Sequence, residues 1–349
     1  MNPLAVTAPP LTERINRIGF SATLAAATEA DRMKAAGIDL ADFGAGEPHF
    51  STPEHIKLAG IAAIERDFTK YTPVGGVTEL RRAICARHAQ DFGSDYAVEE
   101  AAASSGGKQA LFNAVQALVS HGDEVIVPAP YWVSFKDIVR YAGGDCVFVE
   151  TDEANGFALR PEMVERLITA RTRAIILNSP CNPSGAVAAP EDLERIVELA
   201  HRRGIYVISD ECYVYLNYSG RLFSVGSLTG CREHLVLIGS LSKTYSMTGW
   251  RMGYALGPRT IISAMQKLQG QSTGNPNSIA QAAAIAALTG SQQCVAEMRA
   301  DYILLRDRML AGLKEIPGMI CHRPEGAFYL YPNVAPFFGR GGMNSSEDV

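Results

Sequence analysis

Leu235-Val236-Leu237-Ile238-Gly239-Ser240-Leu241-Ser242-Lys243 is an apolar, β-branched run that ends in two hydroxyls and a lysine. Two earlier runs end the same way. Ala174–Leu177 passes into Asn178-Ser179-Pro180-Cys181-Asn182-Pro183-Ser184-Gly185, and Tyr206–Ser209 passes into Asp210-Glu211-Cys212-Tyr213. Runs of five or six such residues, closed by polar groups, read as buried strands. Further runs at Glu124–Pro128 and Cys146–Glu150 precede them, and helical patterns such as Pro190–Arg203 lie between. Strands alternating with helices predict an α/β fold around a mostly parallel sheet. In such sheets ligands sit outside the carboxyl ends of the strands, so Asn182, Asp210, Tyr213, Ser240, Ser242 and Lys243 are expected at one site.

Outward from that core, the pattern predicts helices over Leu24–Ala36, Val77–Asp91 and Gly107–Ser120. Another opens at Thr52-Pro53-Glu54, with Thr52 as N-cap. Downstream come helices over Ile261–Gln269, Ser278–Leu288 and Gln292–Leu313, then a strand over Gly326–Tyr331. The Pro-rich first dozen residues and the tail Gly339-Arg340-Gly341-Gly342-Met343-Asn344-Ser345-Ser346-Glu347-Asp348-Val349 carry no packing signal. A domain boundary is expected near 290–300. Residues 51–295 form the large domain, 1–50 an N-terminal arm and part of a small domain, and 296–349 an incomplete continuation of that small domain.

Composition removes several classes of function. The chain has 349 residues, 47% hydrophobic and 20% charged, with net charge −5 and no basic block. It can therefore bury a core without staples, and it lacks the electrostatic footprint of a nucleic-acid or anionic-membrane binder. The seven cysteines are scattered with no CxxC pair, and the histidines form no HxxH pattern, so no metal is assigned. The longest apolar stretch, Ala282–Leu288, is too short to span a bilayer, and no signal peptide opens the chain. A cytoplasmic protein is expected.

A lysine beside two hydroxyls, with Arg251 eight residues on, suits an aldehyde next to a phosphate. An acid at a strand end could hold a pyridine nitrogen protonated, and an amide and a phenol could bind a phenolic oxygen. Those are the needs of pyridoxal phosphate. Gly106-Gly107-Lys108 at a helix start adds an anion-binding feature.

The segment SLSKTYSMTGWRMGY (240–254) resembles the cofactor-lysine signature of class I aminotransferases of fold type I. NSPCNPSG (178–185), ISDECY (208–213), SSGGKQALF (104–112) and PAPYWVS (128–134) are similar to that family's other landmarks, in order. Asn182 precedes Asp210 by 28 residues, and Asp210 precedes Lys243 by 33. The likeness spans roughly residues 15–335 and is strongest to bacterial aspartate aminotransferases.

The resemblance implies a large cofactor domain, a smaller domain and a homodimer acting on small amino acids and 2-oxo acids. It implies that Lys243 forms a Schiff base with the cofactor and moves the substrate Cα proton. Asp210 would pair with the ring nitrogen, and Tyr213 and Asn182 with the phenolic oxygen. Ser240, Ser242, Arg251 and the Gly107–Lys108–Gln109 backbone would hold the phosphate. Trp132 would stack on the ring, and Tyr71 would reach the phosphate of a neighbouring subunit. Gly46, Trp132 and Asn182 would lie against the substrate. Lys108 would meet a distal carboxylate, favouring aspartate with 2-oxoglutarate.

Each residue also has a plainer reading. Asp210 could be a helix N-cap, Trp132 and Tyr213 core aromatics, and the serines partners of local backbone. Arg251 could form a structural ion pair, and Lys108 could face water. Cys181 and Cys212 read as small packing residues. The family's arginine for the substrate α-carboxylate, in a C-terminal R-hydrophobic-S-[FY]-A context, has no counterpart here, since Arg323 and Arg340 sit elsewhere. The expectation is an incomplete small domain with apolar surface left on the helix near 292–313. Two rival readings follow: an aromatic or alanine aminotransferase or β-lyase of the same fold, and a cofactor binder without turnover.

Overall fold

The computed structural model describes residues 10–20, 22–44 and 46–346. The opening of the Pro-rich segment, through residue 9, and the last three residues of the tail lie outside the described residues.

Seven strands form one sheet: β1 (Ala101–Ser104), β2 (Glu124–Ala129), β3 (Asp145–Glu150), β4 (Thr172–Asn178), β5 (Tyr206–Asp210), β6 (Leu235–Ser240) and β7 (Gly253–Leu256). Their order is β1-β7-β6-β5-β4-β2-β3. β2, β3, β4, β5 and β6 pair in parallel, whereas β7 runs antiparallel to both β6 and β1. The expected α/β fold with a mostly parallel sheet is what forms.

The three central strands show why. Side chains alternate across a strand, and these strands are apolar over consecutive positions, Ala174–Leu177, Tyr206–Ile208 and Leu235–Ile238, so both faces must be covered. Ile175, Leu177, Val207, Leu235 and Leu237 join a core on one face. Ala174, Ile176, Ile208, Val236 and Ile238 join another on the opposite face. The helices Glu54–Glu65, Thr78–Phe92 and Ser278–Thr289 pack together and contribute Ile56, Leu80, Ile84 and Ala283 to the first core. Gly107–Leu118, Ser134–Ala142 and Arg259–Gly270 supply the second with Leu111, Phe135 and Ile262. A fully buried Ile or Leu is worth about 1.5–3 kcal/mol in transfer from water, so these cores dominate the folding energy.

Register sets the site. Asn178 pairs with Asp210, and Asp210 pairs with Ile238, two residues before Ser240, which places the polar endings of β4, β5 and β6 side by side.

Two local expectations are corrected. Thr52 does not cap the helix Glu54–Glu65, because its hydroxyl donates to the Ser246 carbonyl at 2.6 Å and accepts from Trp250 Nε1 at 3.0 Å. It ties the N-terminal segment to the loop after Lys243. Gly326–Tyr331 is not a strand. Ala327 takes φ +56°, a left-handed conformation that interrupts extended pairing, and only a single bridge, Asn217 to Gly326, forms there. The short hairpin lies on either side, Ile320–Cys321 with Pro332–Asn333. Leu304, Leu305 and Met309 are exposed on the helix Gln293–Lys314.

Candidate active site

A cleft of about 1070 Å³ opens at the carboxyl ends of β4, β5 and β6. Gly46, Gly107, Lys108, Trp132, Asn182, Asp210, Tyr213, Ser240, Ser242, Lys243 and Arg251 all line it. They come from segments spread over two hundred residues, and the sheet order brings them together.

Lys243 lies one turn beyond β6, its N-terminal turn capped by Ser240, whose hydroxyl accepts from Ser242 N at 3.2 Å. Its amine donates to the Gly46 carbonyl and stands 5.5 Å from the centre of the Phe328 ring. Burial holds this amine below the ordinary lysine value, aided by the Arg251 charge and opposed by Cys212 and Glu47. A buried amine inclined to neutrality is a nucleophile and a base.

Asp210 closes β5 and is 7% exposed. Burial pushes its carboxyl up to about 6, partly offset by the Cys212 backbone N–H that it accepts at 3.1 Å. Such an acid gains from a cationic partner in the cleft. Asn178 pins the strand end by donating to the Asp210 carbonyl at 3.0 Å, and its own Oδ1 accepts from Asn182 N at 2.9 Å.

The anion cup is built from backbone. A Cβ on Gly253 would lie 2.3 Å from Gly107 N, one on Gly106 would lie 2.6 Å from Arg251 Nη2, and one on Gly107 would lie 3.1 Å from Ser240 Cβ. Only glycines let β7, the start of the Gly107–Leu118 helix and the guanidinium meet this closely. Arg251 itself has φ +53°, strain held by a donor bond from Nη1 to the Thr248 carbonyl at 3.0 Å. The helix N-terminus and Arg251 thus face one point, as a phosphate requires. With the buried acid and the buried amine, these donors fit a phosphorylated pyridine aldehyde.

Lys108 is exposed at the cleft, its amine 4.8 Å from the centre of the Trp132 ring. Desolvation and Arg251 lower its proton affinity. It lines the cleft while remaining open to solvent.

Two predicted residues stand apart. Gln109 does not line the cleft. Its Oε1 accepts from Ser105 N at 2.7 Å, its Nε2 donates to Thr273 Oγ1, and its backbone N–H donates to Gly106 O at 3.1 Å. Tyr71 is 98% exposed, on the surface away from the cleft.

Sequence reasoning missed Tyr329. Its hydroxyl lies 2.6 Å from the Tyr213 hydroxyl and accepts from Asn182 Nδ2 at 3.3 Å. It missed Glu47, which accepts from Thr248 Oγ1 across the cleft mouth. Cys212, half-buried in the same cleft, has its thiol pushed up to about 12 by desolvation and by Asp210, which makes it inert. No signal in residue spacing pointed to Tyr329 or Glu47, since each acts through a long-range contact.

No group of three or more metal-ligating side chains occurs among the described residues, and no described helix is long and apolar enough to cross a membrane.

The comparisons agree with this geometry. The family model "Aminotransferase class I and II" matches residues 38–338. An aspartate aminotransferase of Geobacillus stearothermophilus is 43% identical over 340 residues, covering 97% of this chain and 86% of that protein. An aspartate/prephenate aminotransferase of Thermus thermophilus is 44% identical, covering 93% and 85%. The solved aspartate aminotransferase of Thermus thermophilus with maleate superposes with a TM-score of 0.92 at 43% identity, covering 95% of this chain and 87% of that one. With the fold, the cup and the buried amine in agreement, the chain belongs to the class I and II aminotransferases, close to the bacterial aspartate aminotransferases, and its chemistry is pyridoxal-phosphate-dependent transamination of small molecules.

Proposed function

We propose that the chain transfers the amino group of aspartate to 2-oxoglutarate, with Lys243 as the residue that moves the proton. The observation that carries this reading is the partly buried Lys243 amine, which shares one cleft with the buried Asp210 and with a second cation at Lys108. Bound pyridoxal phosphate supplies an aldehyde that captures amines and a ring that accepts the electron pair left at Cα.

The protein's own residues do the rest. Ser240, Ser242, Arg251 and the Gly107–Lys108 backbone hold the phosphate. Asp210 holds a proton at the ring nitrogen, and Asn182 and Tyr213 hold the phenolic oxygen. Trp132 covers the ring. Lys243 Nζ, inclined to neutrality by burial, would take the proton from the substrate Cα and deliver it across the amine nitrogen to the cofactor's aldehyde carbon. Gly46 presents its carbonyl beside that amine.

Lys108 supports an acidic substrate side chain, because its ammonium in the cleft lining can pair with a carboxylate through charge-assisted hydrogen bonds. The Thermus relative was solved with maleate, a dicarboxylate. Names of several relatives add prephenate, so that oxo acid belongs among those tried. Single-turnover mixing of the cofactor-loaded chain with aspartate, glutamate, phenylalanine or alanine, followed by oxo-acid chromatography, tests the assignment. Oxaloacetate is expected fastest. Indifference to aspartate with turnover of phenylalanine or alanine favours the rival aminotransferases, and cofactor binding without any oxo acid favours the binder.

The active unit is proposed as a homodimer. Leu58, Ile61 and Ile64 form an exposed apolar stripe on Glu54–Glu65, more than a lone surface helix carries without a partner, and Tyr71, shortly after that helix, is exposed as well. The division into a large domain over 51–295 and a small domain from the two ends accompanies this reading. A cytoplasmic setting suits the seven free cysteines.

A further inference from the structure

Tyr329 lies in Gly326-Ala327-Phe328-Tyr329, more than a hundred residues beyond Tyr213, yet its hydroxyl sits in the middle of the proposed ring-oxygen site. Three contacts converge on that one oxygen. Tyr213 Oη is 2.6 Å away, Asn182 Nδ2 donates to it at 3.3 Å, and Gly46 lies so close that a Cβ there would be 2.8 Å from it. Tyr213 and Asn182 are the two side chains assigned to the phenolic oxygen of the cofactor. We propose that Tyr329 is a positioning residue that orders the hydrogen bonds of Tyr213 and Asn182 toward that oxygen.

The donor count supports this assignment. A tyrosine hydroxyl has one proton, and a side-chain amide has two. If Tyr213 gives its proton to an acceptor in the cleft, it can only accept in its bond with Tyr329. Tyr329 then donates to Tyr213 and offers its own lone pair to Asn182. The amide keeps its second proton for the cleft. One consistent chain results, Asn182 to Tyr329 to Tyr213 to the ring oxygen, and each bond in it polarises the next. Burial raises both phenols, so each stays protonated and able to donate at neutral pH. The ring packing of Tyr329 against Phe328 and Tyr213, 4.8 and 5.7 Å between centroids, holds the hydroxyl in place.

The proposal rests on the ring-oxygen reading of Tyr213 and Asn182, and its test separates the two. A donor to the phenolic oxygen stabilises the oxygen's anion, so losing the donor raises the pH midpoint of the bound cofactor's visible absorption. The midpoint is measured on the cofactor-loaded full chain for Tyr213→Phe, Tyr329→Phe and Tyr302→Phe. Tyr302 belongs to the same aromatic cluster, but its buried hydroxyl has no hydrogen-bond partner. The other titratable groups around the two phenols are Asp210 and Cys212, with Lys243, Glu47, Arg251 and Lys108 across the cleft, and all are common to the variants.

Tyr329→Phe is expected to raise the midpoint by about half a pH unit, in the same direction as Tyr213→Phe, and to weaken cofactor binding about threefold to tenfold. Tyr302→Phe is expected to leave the midpoint in place. A shift with Tyr213→Phe but none with Tyr329→Phe would overturn the proposal while leaving the ring-oxygen site standing. No shift with either would remove both. If Tyr329→Phe does not fold, 3-fluorotyrosine at 329, a stronger donor on the same ring, is expected to lower the midpoint, and an unchanged value would likewise overturn the proposal.

Discussion

Gly253 and Gly107 meet backbone to backbone, so closely that a Cβ on Gly253 would lie 2.3 Å from the Gly107 nitrogen and 2.4 Å from the Gly106 carbonyl carbon. β7 can therefore press the start of the Gly107–Leu118 helix toward Ser240 and Arg251. Gly253→Ala has to push backbone, not a flexible side-chain end. It should cost about 1–3 kcal/mol of stability and widen the cup. Chemical denaturation and cofactor titration check both: lower stability together with weaker phosphate affinity is expected, and an unchanged binding constant would contradict the cup.

Gly46 and Tyr329 make a second pair of this kind. The nearest atom to a Cβ on Gly46 is the Tyr329 hydroxyl at 2.8 Å, and the next is a ring carbon at 3.5 Å, an ordinary contact. Gly46→Ala alone should lower thermal stability. Adding Tyr329→Phe removes the colliding atom and should restore most of the loss, even though the cofactor absorption midpoint stays shifted. Additive losses in the double variant would contradict the geometry.

Asp210 makes the cofactor-free chain sensitive to pH. Its folded value of about 6 stands above the ordinary 3.8. The folded chain thus holds this proton more tightly than the unfolded chain. Its contribution to stability is complete below pH 3.8 and is lost as the pH rises through 6. Asp210→Asn keeps the shape and removes the charge. It should stabilise the cofactor-free chain by up to roughly 3 kcal/mol at pH 8 and by about half that at pH 5. The same variant should bind pyridoxal phosphate more weakly. Denaturant melts at the two pH values decide, and an equal effect at both would sink the argument.

Much of this was legible in the residues. β4, β5 and β6 are apolar at consecutive positions and end in Asn178, Asp210 and Ser240, so both their burial and their shared edge follow from the pattern. β1 and β7 were not legible. Ala101-Ala102-Ala103-Ser104 and Gly253-Tyr254-Ala255-Leu256 are short and carry few β-branched residues, and they become strands because β6 offers β7 an edge and β7 offers one to β1. Lys243 and Arg251 could be placed from their spacing. Tyr329 could not, because its position depends on a fold-wide approach to Tyr213. Gln109 reads like part of the cup through its backbone, but its N–H is engaged by the Gly106 carbonyl, and its amide by Ser105 and Thr273.

The exposed stripe of Leu58, Ile61 and Ile64 predicts association. Analytical ultracentrifugation should find the wild-type chain dimeric, and Ile61→Asp should shift it toward monomer. Tyr71→Phe should leave the dimer intact and loosen the cofactor. A monomeric wild type would contradict the shared site.

The central claim is that the cofactor is bonded to Lys243. Borohydride reduction of the pyridoxal-phosphate-loaded chain, followed by peptide mass spectrometry, measures this directly. The added mass should fall on the peptide that contains Lys243 and be absent from Lys243→Ala. Label on Lys108 or another lysine, or no label on the folded, loaded chain, would contradict the account.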